Sequence, residues 1–120
     1  MRSVRETCEA AKRASKVLAT VRTDAKDAVL LDIADTLEAR SAEIVAANAD
    51  DVARGREAGL TDALIDRLTL TDARVTGMAN GLRQVVGLKD PVGEVVAGWT
   101  LPDGLEIRKV RVPLGVVSMI

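Results

Sequence analysis

Val112-Pro113-Leu114-Gly115-Val116-Val117-Ser118-Met119-Ile120 is a nearly continuous apolar run. A strand with one wet face alternates polar and apolar residues, whereas an unbroken run of this kind suits a strand buried on both faces of a parallel sheet. Nothing in the sequence follows it that could pair with it, cross over it or cover its faces. A core strand in that position would leave backbone groups and apolar surface without partners. The expectation is therefore an α/β parent protein of which this sequence is the beginning.

The residues just before the run read as a β-hairpin. From Pro91 the helix-favouring pattern gives way to β-branched residues and glycines: Val92, Val95 and Val96, then Trp99-Thr100-Leu101-Pro102-Asp103-Gly104-Leu105. Asp103-Gly104 between two extended runs is a hairpin turn signal. The returning strand, expected over 105–112, sets Leu105, Ile107, Val110 and Val112 against Glu106, Arg108, Lys109 and Arg111, with a register shift or bulge before Val110. Two strands alone are marginally stable in water, so this ribbon needs something to pack on, a second subunit being one possibility.

Everything upstream reads as helix. Val4, Cys8, Ala11, Ser15 and Leu18 recur every three or four residues and place one apolar face on a first helix from Ser3 to about Thr20. Thr23 is the expected N-cap of a second helix, whose Ala28, Leu30, Leu31, Ile33, Ala34 and Leu37 form a wide stripe suited to burial. Ser41 is the expected cap of a third, with Ile44, Val45, Ala47 and Val52 inward, a kink or new start near Asn48, and Gly59 as its C-terminal stop. A short helix over 61–68 follows, and Thr71 caps a last one carrying Val75, Met78, Ala79, Leu82, Val85 and Val86, ended by Gly87 and Pro91. The fold expected of this sequence is mainly α-helical, with a hairpin and one strand.

Composition narrows function. Hydrophobic residues make up 48% of the 120, yet Trp99 is the only aromatic, so a core must be built from Ala, Val, Leu, Ile and Met. Seventeen basic residues against eighteen acidic ones give a net charge of −1 with no block of one sign. Neither the basic footprint nor the stacking aromatics of a nucleic-acid binder are present, which argues against DNA or RNA as partners. No run of about 18 apolar residues is available to span a membrane, and a single cysteine suits a reducing cytosol. A cytoplasmic location is expected.

Candidate chemistry is sparse. Cys8 has no histidine anywhere in the sequence to serve as its base and sits on an apolar helix stripe, so a buried structural thiol is expected. The pairs Asp50-Asp51 and Asp32-Asp35 are better explained as solvated helix faces and caps than as metal or acid–base groups. Neither GxGxxG nor a Walker A loop occurs, and the Gly77/Gly81 spacing carries no meaning outside a membrane span. Trp99 beside a turn is expected to anchor packing or an interface. No catalytic residue and no metal ligand is expected here.

Three blocks carry a family resemblance. They are Leu60-Thr61-Asp62-Ala63-Leu64-Ile65-Asp66-Arg67-Leu68-Thr69-Leu70, then Gly81-Leu82-Arg83-Gln84-Val85 with Asp90-Pro91-Val92-Gly93-Glu94-Val95, and finally Gly98 to Leu105 leading into Lys109-Val110-Arg111-Val112-Pro113-Leu114-Gly115-Val116. Together they make the whole sequence resemble the N-terminal part of glutamate-5-semialdehyde dehydrogenases (gamma-glutamyl phosphate reductases), a family similar in fold to the aldehyde dehydrogenases. The resemblance implies NADPH-dependent reduction of gamma-glutamyl phosphate to glutamate-5-semialdehyde and phosphate, a step of proline biosynthesis. A cysteine thiolate would expel phosphate and form a thioester that accepts hydride.

It also implies an organisation: 1–90 as the helical part of a cofactor-binding domain, 91–112 as a hairpin through which a homo-oligomer forms, and 113–120 as the first strand of the dinucleotide-binding sheet. Met119 and Ile120 would then approach the NADP pocket at the carboxyl end of that strand. The catalytic cysteine and the oxyanion-hole asparagine of the family have no matching positions in this sequence. The competing expectation is a self-contained helical interaction module without catalytic activity, its hairpin free to join a partner's sheet.

Overall fold

The computed structural model describes residues 3–118. Five helices are followed by one hairpin: α1 Val4–Leu18, α2 Thr23–Ala39, α3 Ser41–Glu57, α4 Asp62–Leu68, α5 Asp72–Val86, β1 Val95–Thr100 and β2 Glu106–Val110. The chain divides into two compact units, one of residues 26–88 and one of residues 1–25 with 89–120.

Local chemistry accounts for four of the helix ends. Ser3 caps α1 by accepting from the Glu6 amide while the Glu6 carboxylate accepts from the Ser3 amide, a reciprocal pair that occupies two otherwise orphaned donors. The Thr71 hydroxyl accepts from the Arg74 amide and starts α5. Beyond α3, Gly59 takes φ +78, the left-handed geometry expected of a helix stop. Gly87 also ends its helix, as expected, but in the right-handed region at φ −72.

Two expected caps are used otherwise. Thr23 is the first residue of α2, and its hydroxyl donates to Asp90 Oδ2 at 3.0 Å. Ser41 is likewise inside α3, and its hydroxyl donates to Asp72 Oδ1 at 2.6 Å. Both side chains satisfy a carboxylate far along the chain in place of their own helix end.

The unit of residues 26–88 holds every buried residue among those described: Ala34, Asn48, Gly55, Ile65, Val75 and Ala79. Gly55 marks the closest approach within it. A Cβ built there would lie 3.0 Å from Leu60 Cδ1, 3.1 Å from Leu68 Cδ2 and 3.2 Å from Ile65 Cδ1, so the three aliphatic tips fill the space any larger residue needs. Asn48 does not kink α3, which runs unbroken from Ser41 to Glu57. Its buried amide instead donates to Leu68 O at 2.9 Å and accepts from Leu70 N at 2.6 Å, closing the backbone of the α4–α5 connection. Arg74 supports the same connection through Thr69 O at 2.6 Å, the Asp66 carbonyl and the Asp66 carboxylate.

Three expectations about burial are corrected. Of the wide α2 stripe only Ala34 is buried, while Leu31 and Ile33 stay about two-fifths exposed, at 40% and 44%. On α1 no residue is buried, and Cys8 is exposed rather than a core thiol. An amphipathic face is buried only where a neighbour covers it.

The hairpin forms where expected, with its turn at Pro102-Asp103-Gly104. Leu101 O accepts from Gly104 N, Leu101 N donates to Leu105 O, and Asp103 Oδ1 accepts from Leu105 N. Gly104 takes φ +88, which any side chain would resist. Thr100 pairs with Glu106 and Trp99 with Ile107, and Val95 pairs with Val110. The bulge lies between Val95 and Ala97 on the first strand, not before Val110 on the second as the alternation suggested. Backbone bonds continue the ladder past β1, from Gly93 N to Arg111 O and from Arg111 N to Glu94 O. Strand geometry then stops: residues 111–118 belong to no strand, and Gly115 at φ +92 interrupts the extended run. Met119 and Ile120 lie outside the described residues.

Candidate functional site

At two places one charged side chain meets two partners of opposite sign. In the unit of residues 26–88, Arg83 of α5 reaches α2. Its Nη2 donates to Asp35 Oδ1 at 2.8 Å and Glu38 Oε2 at 2.6 Å, and its Nη1 donates to Glu38 Oε1 at 3.1 Å and Asn80 Oδ1 at 3.2 Å. Glu38 and Arg83 thus face each other through two parallel bonds, the geometry in which a guanidinium binds a carboxylate best. The Arg83 hydrogen bond holds the Glu38 carboxyl below its ordinary range, and Glu38 and Asp35 together push the Arg83 guanidinium further up. Both ends are satisfied by each other. The cluster is a clamp between helices, with no free base or nucleophile.

At the open end of the hairpin, Glu94 is bracketed by Lys89 Nζ at 3.2 Å and Arg111 Nε at 3.0 Å. The Lys89 hydrogen bond is the main cause of its lowered pKa. Asp90 Oδ1 accepts from Val92 N at 3.0 Å, which fixes the turn into β1. These contacts hold the two strand ends together where the backbone ladder runs out.

The first strand of the hairpin is mostly apolar, whereas the second carries Glu106, Arg108 and Lys109 alongside Ile107 and Val110. Neither strand contains a buried residue. Trp99 is 52% exposed, and Val96, Ala97, Lys109, Val110 and Arg111 line an open hollow of about 550 Å³ beside the bulge. A second open hollow is lined by Gly98, Trp99, Thr100, Glu106, Ile107 and Arg108. The bulge turns Val96 out of regular register, widening one face of the ribbon. Both hollows are open and mix apolar with charged side chains, a surface suited to association.

The residues singled out in the sequence are therefore not brought together. Cys8 is exposed on α1, Asp50 and Asp51 are exposed on α3, and Asp51 pairs with Arg54. Asp32 is exposed, while Asp35 joins the Arg83 clamp. No group of three or more His, Cys, Asp or Glu able to hold a metal occurs among the described residues, and no helix of the described residues is long and apolar enough to cross a membrane. The two candidate cofactor contacts, Met119 and Ile120, lie outside the described residues. The Arg83–Glu38 clamp was not foreseen. Its one sequence signal is Asp35 and Glu38 three apart on one helix face, which leaves the basic partner unspecified.

No protein-family model matches the chain. Curated relatives do. The gamma-glutamyl phosphate reductase of Thermobifida fusca is 56% identical over 119 residues, which are 99% of this chain and 28% of that protein. That of Syntrophomonas wolfei is 52% identical over 110 residues, 92% of this chain and 26% of the relative. Among solved structures, the gamma-glutamyl phosphate reductase of Thermotoga maritima superposes with a TM-score of 0.85 at 42% identity, over 90% of this chain and 26% of that one. The Saccharomyces cerevisiae protein gives 0.84 at 34% identity, over 94% of this chain and 29% of the other.

Five helices followed by an exposed hairpin share the fold of the corresponding part of these two solved structures, which belong to the reductases. Within that class the chain matches the N-terminal part of the gamma-glutamyl phosphate reductases, in sequence and in structure alike. It spans a little over a quarter of the length of the curated relative from Thermobifida fusca, 28%.

Proposed function

We propose that this chain is the N-terminal part of an NADPH-dependent reductase that converts gamma-glutamyl phosphate to glutamate-5-semialdehyde and phosphate in proline biosynthesis, in the cytoplasm. The observation that carries the reading is 56% identity to a gamma-glutamyl phosphate reductase over 99% of the chain. The parent fold is aldehyde-dehydrogenase-like, with 1–90 a helical part of the cofactor-binding domain, 91–112 an oligomerisation hairpin and 113–120 the first strand of the dinucleotide-binding sheet. A cysteine outside this sequence attacks the acyl phosphate, phosphate leaves, and the resulting thioester is reduced.

The sequence contains neither a GxGxxG fingerprint nor a Walker A loop. The role of the described residues is structural, the Arg83 clamp and the Asn48 staple holding a helical scaffold and the hairpin offering an association surface. The competing reading, a helical interaction module that stands alone, draws on the same exposed hairpin. The full-length match to one enzyme family weighs against it.

The test is an assay of the natural gene product with glutamate-5-semialdehyde, phosphate and NADP, following NADPH formation, beside the same assay on the purified 120-residue chain. Phosphate-dependent turnover by the gene product and none by the 120-residue chain is the expected pair. A gene product that is itself 12.7 kDa and inert overturns the assignment.

A further inference from the structure

We draw no further inference here: the strongest candidate, the open apolar groove along α3 lined by Val45, Ala49, Val52, Ala53 and Leu70, carries nothing because no feature of the structure shows what covers it.

Discussion

Gly55 and Asn48 show how much of the helical unit rests on single side chains. Gly55 lets the tips of Leu60, Ile65 and Leu68 close over α3, and an added methyl would meet all three at 3.0–3.2 Å. Those tips can shift but have little room, so Gly55→Ala is expected to destabilise the chain by about 1–3 kcal/mol, the usual range for overpacking. Urea denaturation followed by helical circular dichroism measures it. An unchanged or raised midpoint would mean that the three side chains repack freely.

Glu38 belongs to the same scale through its charge. Its carboxyl is held below the ordinary value chiefly by the Arg83 hydrogen bond. A depressed carboxylate stabilises the folded state above the unfolded pKa, near about 4.3 for Glu, and that contribution is lost as pH falls through the lower folded value. The urea midpoint is therefore expected to fall as pH drops below about 4, and Glu38→Gln to be less stable than the parent at pH 7, with the gap narrowing steadily toward pH 3. A gap of the same size at both pH values would show that charge is not what Glu38 supplies. Because the pair is partly exposed, with side-chain exposures of 34% and 36%, the effect is expected to shrink in high salt.

At the scale of elements, the hairpin is the part whose stability cannot come from its own contacts. Its turn is well made, with Gly104 in the left-handed geometry and Asp103 accepting from Leu105 N, yet β1 and β2 bury nothing. An isolated two-stranded ribbon is marginal in water. If the hairpin is the association element of the natural protein, Trp99→Lys should place a charge in that contact and lower the assembly mass seen by light scattering. Helix content should stay unchanged. Assembly mass equal to that of the parent would remove the hairpin from the interface.

The helices at this scale divide by what covers them. α5 buries Val75 and Ala79, whereas α1, as clearly amphipathic in sequence, buries nothing. Periodicity reports that a face is apolar. It does not report whether a neighbour lies against that face.

For the whole molecule, all buried residues among those described fall in the unit of residues 26–88. Local stability follows buried contacts, and segments without them open first. Hydrogen exchange on the 120-residue chain should leave its slowest amides in α3, α4 and α5, and residues 112–118, outside any strand, should exchange near the intrinsic rate. Protection of 112–118 equal to that of α3 would mean that they form a sheet this structure does not contain.

The sequence by itself determined the five helices, the hairpin and its turn, and the match to the N-terminal part of one reductase family. These are written in short-range features: apolar spacing of three and four, capping residues such as Ser3 and Thr71, the Asp103-Gly104 turn, and blocks of residues in fixed order. Tertiary structure alone decided the rest. Thr23 and Ser41 left their caps for Asp90 and Asp72, Asn48 closed a backbone gap twenty residues away instead of kinking α3, Arg83 found Asp35 and Glu38, and Cys8 stayed in solvent. In each case a polar or apolar group had several local options of similar energy, and the contact that prevailed depended on which distant segment packed against it.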